Sequence, residues 1–275
     1  MAKKSYKSIR YDVADGVARI TFNLPQYGNA LDLVGVQETL DALFRSEADA
    51  NVGAIVLTGA GKAFCSGFNL KEIPREDDSV EEKAAHFQVL AMWWHQVLHK
   101  LTRIQRPVLA AVNGVAAGSG LGMTLCSDLA VCKESARFLC AWHTIGLAND
   151  ATTSYSLTKI VGFRRAMELM MTNRVLDARE ALEWQLVNRV YPDAEFDAVV
   201  DRIARDLAAA PTHLQAMAKE SFHSGWRRSI EEATEFEIQN VMKSVAHPYF
   251  HKALAAFVSG AGKSDKVQVT LPPGL

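Results

Sequence analysis

Cysteine is scarce and unpaired in this chain of 275 residues. Cys65, Cys126, Cys132 and Cys140 fall in apolar surroundings and form no CxxC pair. Positions of this kind are typical of buried, reduced thiols rather than of disulfides or zinc ligands. We therefore expect no metal site.

Long apolar runs and dense charge blocks are also missing. No stretch approaches the roughly 18 uninterrupted apolar residues of a membrane span, and the N-terminal MAKKSYKSIRYDV lacks the apolar region of a signal peptide. Lys and Arg (30) nearly balance Asp and Glu (31), for a formal net charge of -1. The sequence thus predicts a cytoplasmic protein that binds neither membranes nor nucleic acid.

Hydrophobic residues make up 49% of the chain, which suffices for a large core. Residues 11–22 alternate as two short strands around an Asp15-Gly16 turn. Three near-continuous apolar runs, at 52–59, 107–114 and 129–132, are typical of strands buried on both faces. The pattern predicts an α/β fold with parallel strands.

Helical periodicity fills the segments between and after these runs. One helix is predicted to begin near Asp32, and a long one to span Ser79 to Arg103. Helical spacing dominates after Thr153. We expect two units, an α/β core over residues 1–190 and a helical region over residues 191–275.

Two glycine-containing turns follow predicted strands. They contain Gly67 and Gly118, in CSGFN and AAGSGLG. Backbone N–H groups at such turns lack intrahelical acceptors, and two of them together can polarise one carbonyl oxygen. Neither turn has the GxGxxG spacing of a dinucleotide-binding fold, which disfavours a nicotinamide-dependent dehydrogenase.

Three segments carry a family resemblance: AFCSGFNLKEI, PVLAAVNGVAAGSGLGMTLCSDLAV and FLCAWHTIGLAND. In order and spacing they resemble the signature region of the crotonase superfamily, also called the enoyl-CoA hydratase/isomerase family. The resemblance covers nearly the whole chain and implies a spiral of ββα repeats with a C-terminal helical region that supports a homotrimer. It also implies that two backbone N–H groups, those of Phe68 and Ser119, hold the carbonyl oxygen of an acyl-CoA thioester.

The two glutamates that serve a crotonase-type hydratase are absent. Alignment of the turns places them at Gly122 and Trp142, and neither residue can transfer a proton as a carboxylate does. Hydration of an enoyl-CoA is therefore disfavoured, although an enoyl-CoA hydratase or isomerase remains the alternative function. A noncatalytic acyl-CoA-binding or RNA-binding scaffold is a second alternative.

Further segments resemble one branch of the superfamily, the dehalogenases that act on 4-halobenzoyl-CoA. The matching segments are WWHQVLHK, RPVLAAVNGVAAG, CAWHTIG, TSYSL, APTHLQAMAKE and TEFEIQNV. This resemblance implies hydrolysis of 4-chlorobenzoyl-CoA to 4-hydroxybenzoyl-CoA and chloride, with no cofactor beyond the CoA of the substrate. It makes Asp150 the nucleophile, His95 the base and Trp142 the indole N–H donor that orients Asp150.

Each of these residues also has an ordinary structural interpretation. Asp150 is a candidate helix N-cap, His95 a candidate packed histidine, and His86 and His99 compete with it as bases. The resemblance also implies an apolar slot for the benzoyl ring. Its predicted lining residues are Phe68, Phe87 and Trp94, and Gly67 and Gly118 are predicted to bind the substrate as well.

Three positions depart from the dehalogenase pattern. Ser119 replaces a glycine, Gly28 stands where a basic residue would bind CoA phosphates, and Lys71 replaces an arginine. The first change leaves the N–H donor in place and adds a hydroxyl. The contacts to the nucleotide end of CoA are predicted to come from Lys71 and from Lys263 or Lys266 of a neighbouring subunit.

Overall fold

A β-hairpin begins the chain in the computed structural model, which describes residues 5–72, 77–259 and 268–274. Strand β1 (Ile9–Ala14) pairs antiparallel with β2 (Val17–Phe22). The turn residues Asp15 and Gly16 have φ angles of 51° and 77°. Two consecutive positive φ angles match the twist of a tight hairpin, which confirms the predicted turn.

In the described part of the chain, ten strands form two sheets. The remaining strands are β3 (Ala54–Gly59), β4 (Ala63–Cys65), β5 (Val108–Val112), β6 (Val115–Ala117), β7 (Leu129–Lys133), β8 (Arg137–Leu139), β9 (Leu176–Asp177) and β10 (Arg189–Tyr191). The larger sheet has the order β1-β2-β3-β5-β7-β10 and the smaller one β4-β6-β8-β9. All pairs except β1/β2 and β8/β9 are parallel. The three apolar runs form β3, β5 and β7, as predicted.

Helices follow the strand pairs in the predicted ββα order. The helices are α1 (Leu33–Ala48), α2 (Val80–Arg103), α3 (Ser119–Cys126), α4 (Thr158–Val161), α5 (Phe163–Thr172), α6 (Ala178–Glu183), α7 (Phe196–Ala209), α8 (Thr212–Gly225), α9 (Ile230–Ala246) and α10 (Pro248–Val258). Asp32 caps α1 by accepting from the Gly35 N–H at 2.7 Å. Ser79 and Glu82 cap the start of α2 reciprocally.

The C-terminal part divides between the core and a helical layer. Helix α7 packs on β2, β3 and β7, whereas α8 contacts α2 and α9, and α9 contacts α10. The final segment returns to the core, because the Tyr191 hydroxyl donates to the Pro272 carbonyl at 2.9 Å. The predicted boundary at residue 190 falls inside β10. Within the described residues, every helix is too short or too polar to cross a membrane.

All four cysteines are buried and free. Burial raises the pKa of the Cys65 thiol to about 12 and that of Cys126 to about 11. These thiols therefore stay protonated at neutral pH, which makes them structural side chains, as predicted.

Candidate active site

The two glycine turns lie side by side because their strands are neighbours. Parallel strands β4 and β6 pair Ala63 with Val115 and Cys65 with Ala116, so both turns leave the same sheet edge. Gly67 and Gly118 have φ angles of 95° and 53°, values that glycine adopts without the steric cost of a Cβ. A Cβ on Gly67 would lie 3.3 Å from the Ser119 nitrogen.

The predicted oxyanion donors sit in these turns. The Leu31 N–H donates to the Gly67 carbonyl and the Asn69 N–H to the Leu31 carbonyl, at 2.9 and 3.0 Å. Phe68, between them, directs its own N–H away from Leu31. Ser119 is the first residue of α3, where no intrahelical acceptor exists. Within the described part of the chain neither N–H donates a hydrogen bond, so both are available to a ligand oxygen.

Aromatic side chains line the space beside these donors. The Phe68 ring centroid lies 6.5 Å from that of Phe87 and 5.9 Å from that of Trp94. Phe87 and Trp94 are seven residues apart on α2 and share one helix face. The structure thus brings together the three residues predicted to form the benzoyl slot, and Trp94 is buried.

His95 and Asp150 meet across the site, 55 residues apart in sequence. The His95 Nε2 lies 2.7 Å from Asp150 Oδ1. Both side chains remain partly accessible, with exposed fractions of 42% and 26%. A histidine with an exposed face can contact a carboxylate and a water molecule at once.

Hydrogen bonds to its backbone carbonyl hold Asp150 in place, and its side chain does not cap a helix. The Thr153 N–H and hydroxyl both donate to the Asp150 carbonyl, at 3.2 and 2.7 Å. Ala151 and Thr152 have φ angles of 54° and 64°, and a π-helix follows at Thr153–Leu157. The N-cap interpretation of Asp150 is therefore wrong, because Thr152 precedes the helix and the Asp150 carboxylate contacts His95.

Trp142 is buried where the chain turns toward Asp150. It begins a short 3₁₀ turn, Trp142–Ile145, and its carbonyl accepts from the Leu147 N–H at 3.0 Å. The hydrogen bonds of the described residues include none from the Trp142 indole to Asp150, whose carboxylate contacts His95 instead. The orienting role of Trp142 stays a prediction.

Ala151 fills the space next to Gly122, where the family resemblance places the first glutamate of a hydratase. A Cβ on Gly122 would lie 2.6 Å from the Ala151 Cβ and 2.7 Å from the Ala151 carbonyl oxygen. The loop that carries Asp150 therefore occupies the space into which a side chain at residue 122 would extend. The absence of a glutamate at residue 122 could be seen in the sequence. The occupation of that space by the loop could not.

The competing histidines lie outside the contact with Asp150. His99 is one helical turn beyond His95, with ring centroids 6.4 Å apart. Burial lowers the pKa of His99, with added contributions from Arg103 and His95. His86 packs edge-on against Phe87.

The predicted contacts to the nucleotide end of CoA are only partly visible. The Lys71 ammonium lies 4.9 Å from the centroid of the Tyr27 ring, at the exposed end of the Phe68 turn. Gly28, next to Tyr27, has a φ angle of 62°. Lys263 and Lys266 lie outside the described residues.

Comparison with known proteins shows the family of the chain. The sequence model of the enoyl-CoA hydratase/isomerase family matches residues 12–262. Two Arthrobacter proteins, 4-chlorobenzoyl coenzyme A dehalogenase-1 and -2, are each 49% identical over 98% of this chain and 98% of their own length. The crystal structure of an enoyl-CoA hydratase/isomerase from Cupriavidus metallidurans superposes with a TM-score of 0.86, at 27% identity over 94% of this chain and 96% of that one. The chain belongs to the enoyl-CoA hydratase/isomerase family, the crotonase superfamily.

Proposed function

We propose that the chain is a hydrolytic dehalogenase that converts 4-chlorobenzoyl-CoA and water into 4-hydroxybenzoyl-CoA, chloride and a proton. The observation that carries this proposal is the 2.7 Å contact between His95 and Asp150, together with two backbone N–H groups that donate to no acceptor among the described residues. The 49% identity to two dehalogenases over nearly the full length supports the same reaction. Glycine at residue 122 and tryptophan at residue 142 oppose hydratase chemistry.

In the first half of the reaction, an Asp150 carboxylate oxygen bonds to the ring carbon that carries chlorine. The ring accepts an electron pair, and the charge moves to the thioester oxygen para to that carbon. The N–H groups of Phe68 and Ser119 stabilise this oxyanion at the start of α3. The carbon–chlorine bond then breaks, chloride leaves with its electron pair, and the ring is joined to Asp150 as an aryl ester.

In the second half, His95 takes a proton from a water molecule. The resulting hydroxide adds to the Asp150 ester carbonyl, the aryloxide leaves and takes the proton held by His95, and the Asp150 carboxylic acid releases its proton to water. Asp150 returns as a carboxylate, and the product is 4-hydroxybenzoyl-CoA. A histidine suits this step because its ordinary pKa of about 6.5 lies close to neutral pH.

Binding of the substrate ring would use the aromatic slot of Phe68, Phe87 and Trp94, with Gly67 and Gly118 next to the thioester. Such walls exclude water, which strengthens the hydrogen bonds to the oxyanion. Lys71 would contact the CoA phosphates. The CoA enters as part of the substrate, so the reaction requires no separate cofactor.

Assembly as a cytoplasmic homotrimer is part of the proposal. Apolar side chains on α9 and α10 are exposed in the single chain, among them Ile238, Val241, Met242, Phe257 and Val258. Exposed apolar surfaces of this kind mark protein interfaces. Light scattering on the purified protein should give three times the mass of one chain.

The decisive experiment measures chloride release from 4-chlorobenzoyl-CoA, with acid quenching in the first turnover and peptide mapping by mass spectrometry. We expect stoichiometric chloride and an aryl adduct on Asp150. Turnover of crotonyl-CoA without chloride release would identify a hydratase, and binding of CoA esters without turnover would indicate a noncatalytic scaffold. Chloride release with an adduct on another residue would contradict the role of Asp150.

A further inference from the structure

Three basic side chains on α2 lead away from the candidate active site. His95, His99 and Arg103 are spaced by four residues, so they lie along one face of the helix. They extend from the Asp150 contact toward the C-terminal end of α2. Phe87, which borders the aromatic slot, lies toward the opposite end.

A cleft of about 310 Å³ continues this line. Thr152, two residues beyond Asp150, borders it together with His99 and Arg103 of α2. Its far side is formed by His223 and Arg227. The cleft thus runs from the loop that carries Asp150 to the end of α8.

The cleft adjoins a larger cavity of about 550 Å³ between α2, α8 and α9, and both are bordered by Arg103, His223 and Arg227. Positively charged side chains outnumber negatively charged ones around the larger cavity. The cationic ones are Arg103, Lys219, Arg227, Arg228 and Lys243, against the single carboxylate of Glu220 among its described lining residues. Asp128 offsets one of them, because it lies 2.8 Å from the Lys219 ammonium. The remaining excess of positive charge raises the local concentration of anions.

We propose that this cationic cleft is the release route for the halide ion. The inference rests on the proposed dehalogenase function, since that reaction forms a halide next to Asp150 while the aryl group fills the aromatic slot. Formation of the aryl ester also neutralises the Asp150 carboxylate. The released halide then carries the negative charge that Asp150 has lost. The positive charges beyond Thr152 attract it.

Trp226 provides a local probe for anions, because its side chain borders the same cleft and is 44% exposed. Iodide and neutral acrylamide both quench indole fluorescence on contact, so their ratio reports local anion enrichment. Subtracting the signal of a Trp226→Phe variant isolates this residue from the other four tryptophans.

The test compares the wild type with the double variant Arg103→Gln/Arg227→Gln. Removing two cations that border the same cleft as Trp226 should lower iodide quenching of Trp226 by about fivefold and leave acrylamide quenching unchanged. The matched control, Arg164→Gln/Arg179→Gln, removes the same charge from exposed positions elsewhere on the chain. It should behave as the wild type.

A second measurement follows bromide release in single turnover of 4-bromobenzoyl-CoA. In the cleft variant, release should lag behind aryl-ester formation, and the inhibition constant of added bromide should rise by about fivefold. Unchanged quenching together with prompt release would overturn the inference while leaving the dehalogenase proposal intact. Iodide enrichment without any halide release from substrate would overturn the dehalogenase function and the release route with it, and would leave only an anion-binding cleft.

Discussion

Gly122 lies directly beneath Ala151, at a distance that leaves no room for a side chain. A Cβ at residue 122 would be 2.6 Å from the Ala151 Cβ, closer than real Cβ atoms approach one another. Ala151 follows Asp150, so the glycine and the carboxylate are coupled through one peptide unit. The absence of a glutamate at residue 122 is thus a condition for the position of Asp150.

Replacement of Gly122 by alanine should therefore displace the Asp150 loop. We expect kcat for chloride release to fall by about 100-fold, since small misplacements of a reacting group have effects of this size, and stability to fall by about 1–3 kcal/mol through overpacking. Gly225→Ala is the matched control, because nothing lies within 4 Å of a Cβ there. Equal activity of the two variants would contradict the coupling.

Asp150→Asn should abolish adduct formation. The amide is a poor nucleophile, so we expect chloride release to fall by about 1000-fold or more, with binding of the CoA ester retained. Asp12→Asn, at an exposed position on β1, serves as the control. An aryl adduct detected in the Asp150 variant would refute the assignment.

His95→Gln should uncouple the two halves of the reaction. Loss of the base slows ester hydrolysis by about 100-fold or more, whereas arylation by Asp150 needs no proton transfer. The adduct should accumulate in rapid-quench experiments. His99→Gln should turn over nearly normally, and parallel slowing of both steps in the His95 variant would argue against a base.

Two substitutions of Ser119 distinguish the role of its backbone N–H from that of its hydroxyl. Its hydroxyl is buried and has no partner among the described residues, so Ser119→Ala should retain activity. Ser119→Pro removes the N–H at the first position of α3, where proline is compatible with a helix. We expect kcat to fall by about 100- to 1000-fold in that variant alone, at unchanged helix content by circular dichroism. Full activity of the proline variant would eliminate this oxyanion donor.

Acid should destabilise the helical layer through His213. Burial lowers the pKa of His213, with a further contribution from His247, whose ring stacks on it at 3.8 Å. Because its pKa is lower in the folded protein, His213 binds a proton more readily in the unfolded chain. The free energy of unfolding is therefore highest above the ordinary histidine pKa of 6.5, and it declines as the pH falls below that value. The loss of free energy of unfolding between pH 7 and pH 5 should shrink in His213→Gln. The exposed His251→Gln should keep the full loss, and identical pH profiles for all three proteins would refute the assignment.

Local signals made much of the fold predictable. Asp32 and Ser79 begin helices because their side chains accept the first free N–H groups, and the apolar runs that form β3, β5 and β7 have the composition of buried parallel strands. Such features depend on residues within a few positions of one another. They can therefore be inferred from one sequence.

The site was only partly predictable because its contacts are distant in sequence. His95 and Asp150 are 55 residues apart, and their pairing depends on how α2 and the loop that carries Asp150 both pack against α3. The left-handed φ angles of Ala151 and Thr152 replace the ordinary helix start that an Asp-Ala-Thr-Thr sequence suggests. Motif resemblance predicted roles for Asp150, His95 and Trp142, but it could not show that, among the described residues, the Trp142 indole makes no hydrogen bond to Asp150.

The conformation of residues 150–153 determines how this reaction could be engineered into a related hydratase. Two left-handed residues and the Thr153 hydrogen bonds place the Asp150 carboxylate, and the glycine beneath them provides the space. An aspartate introduced alone would project from a differently shaped loop. The unit that would have to be exchanged is this loop together with a glycine 28 positions before Asp150. A path of single substitutions between the two activities would therefore pass through proteins that perform neither.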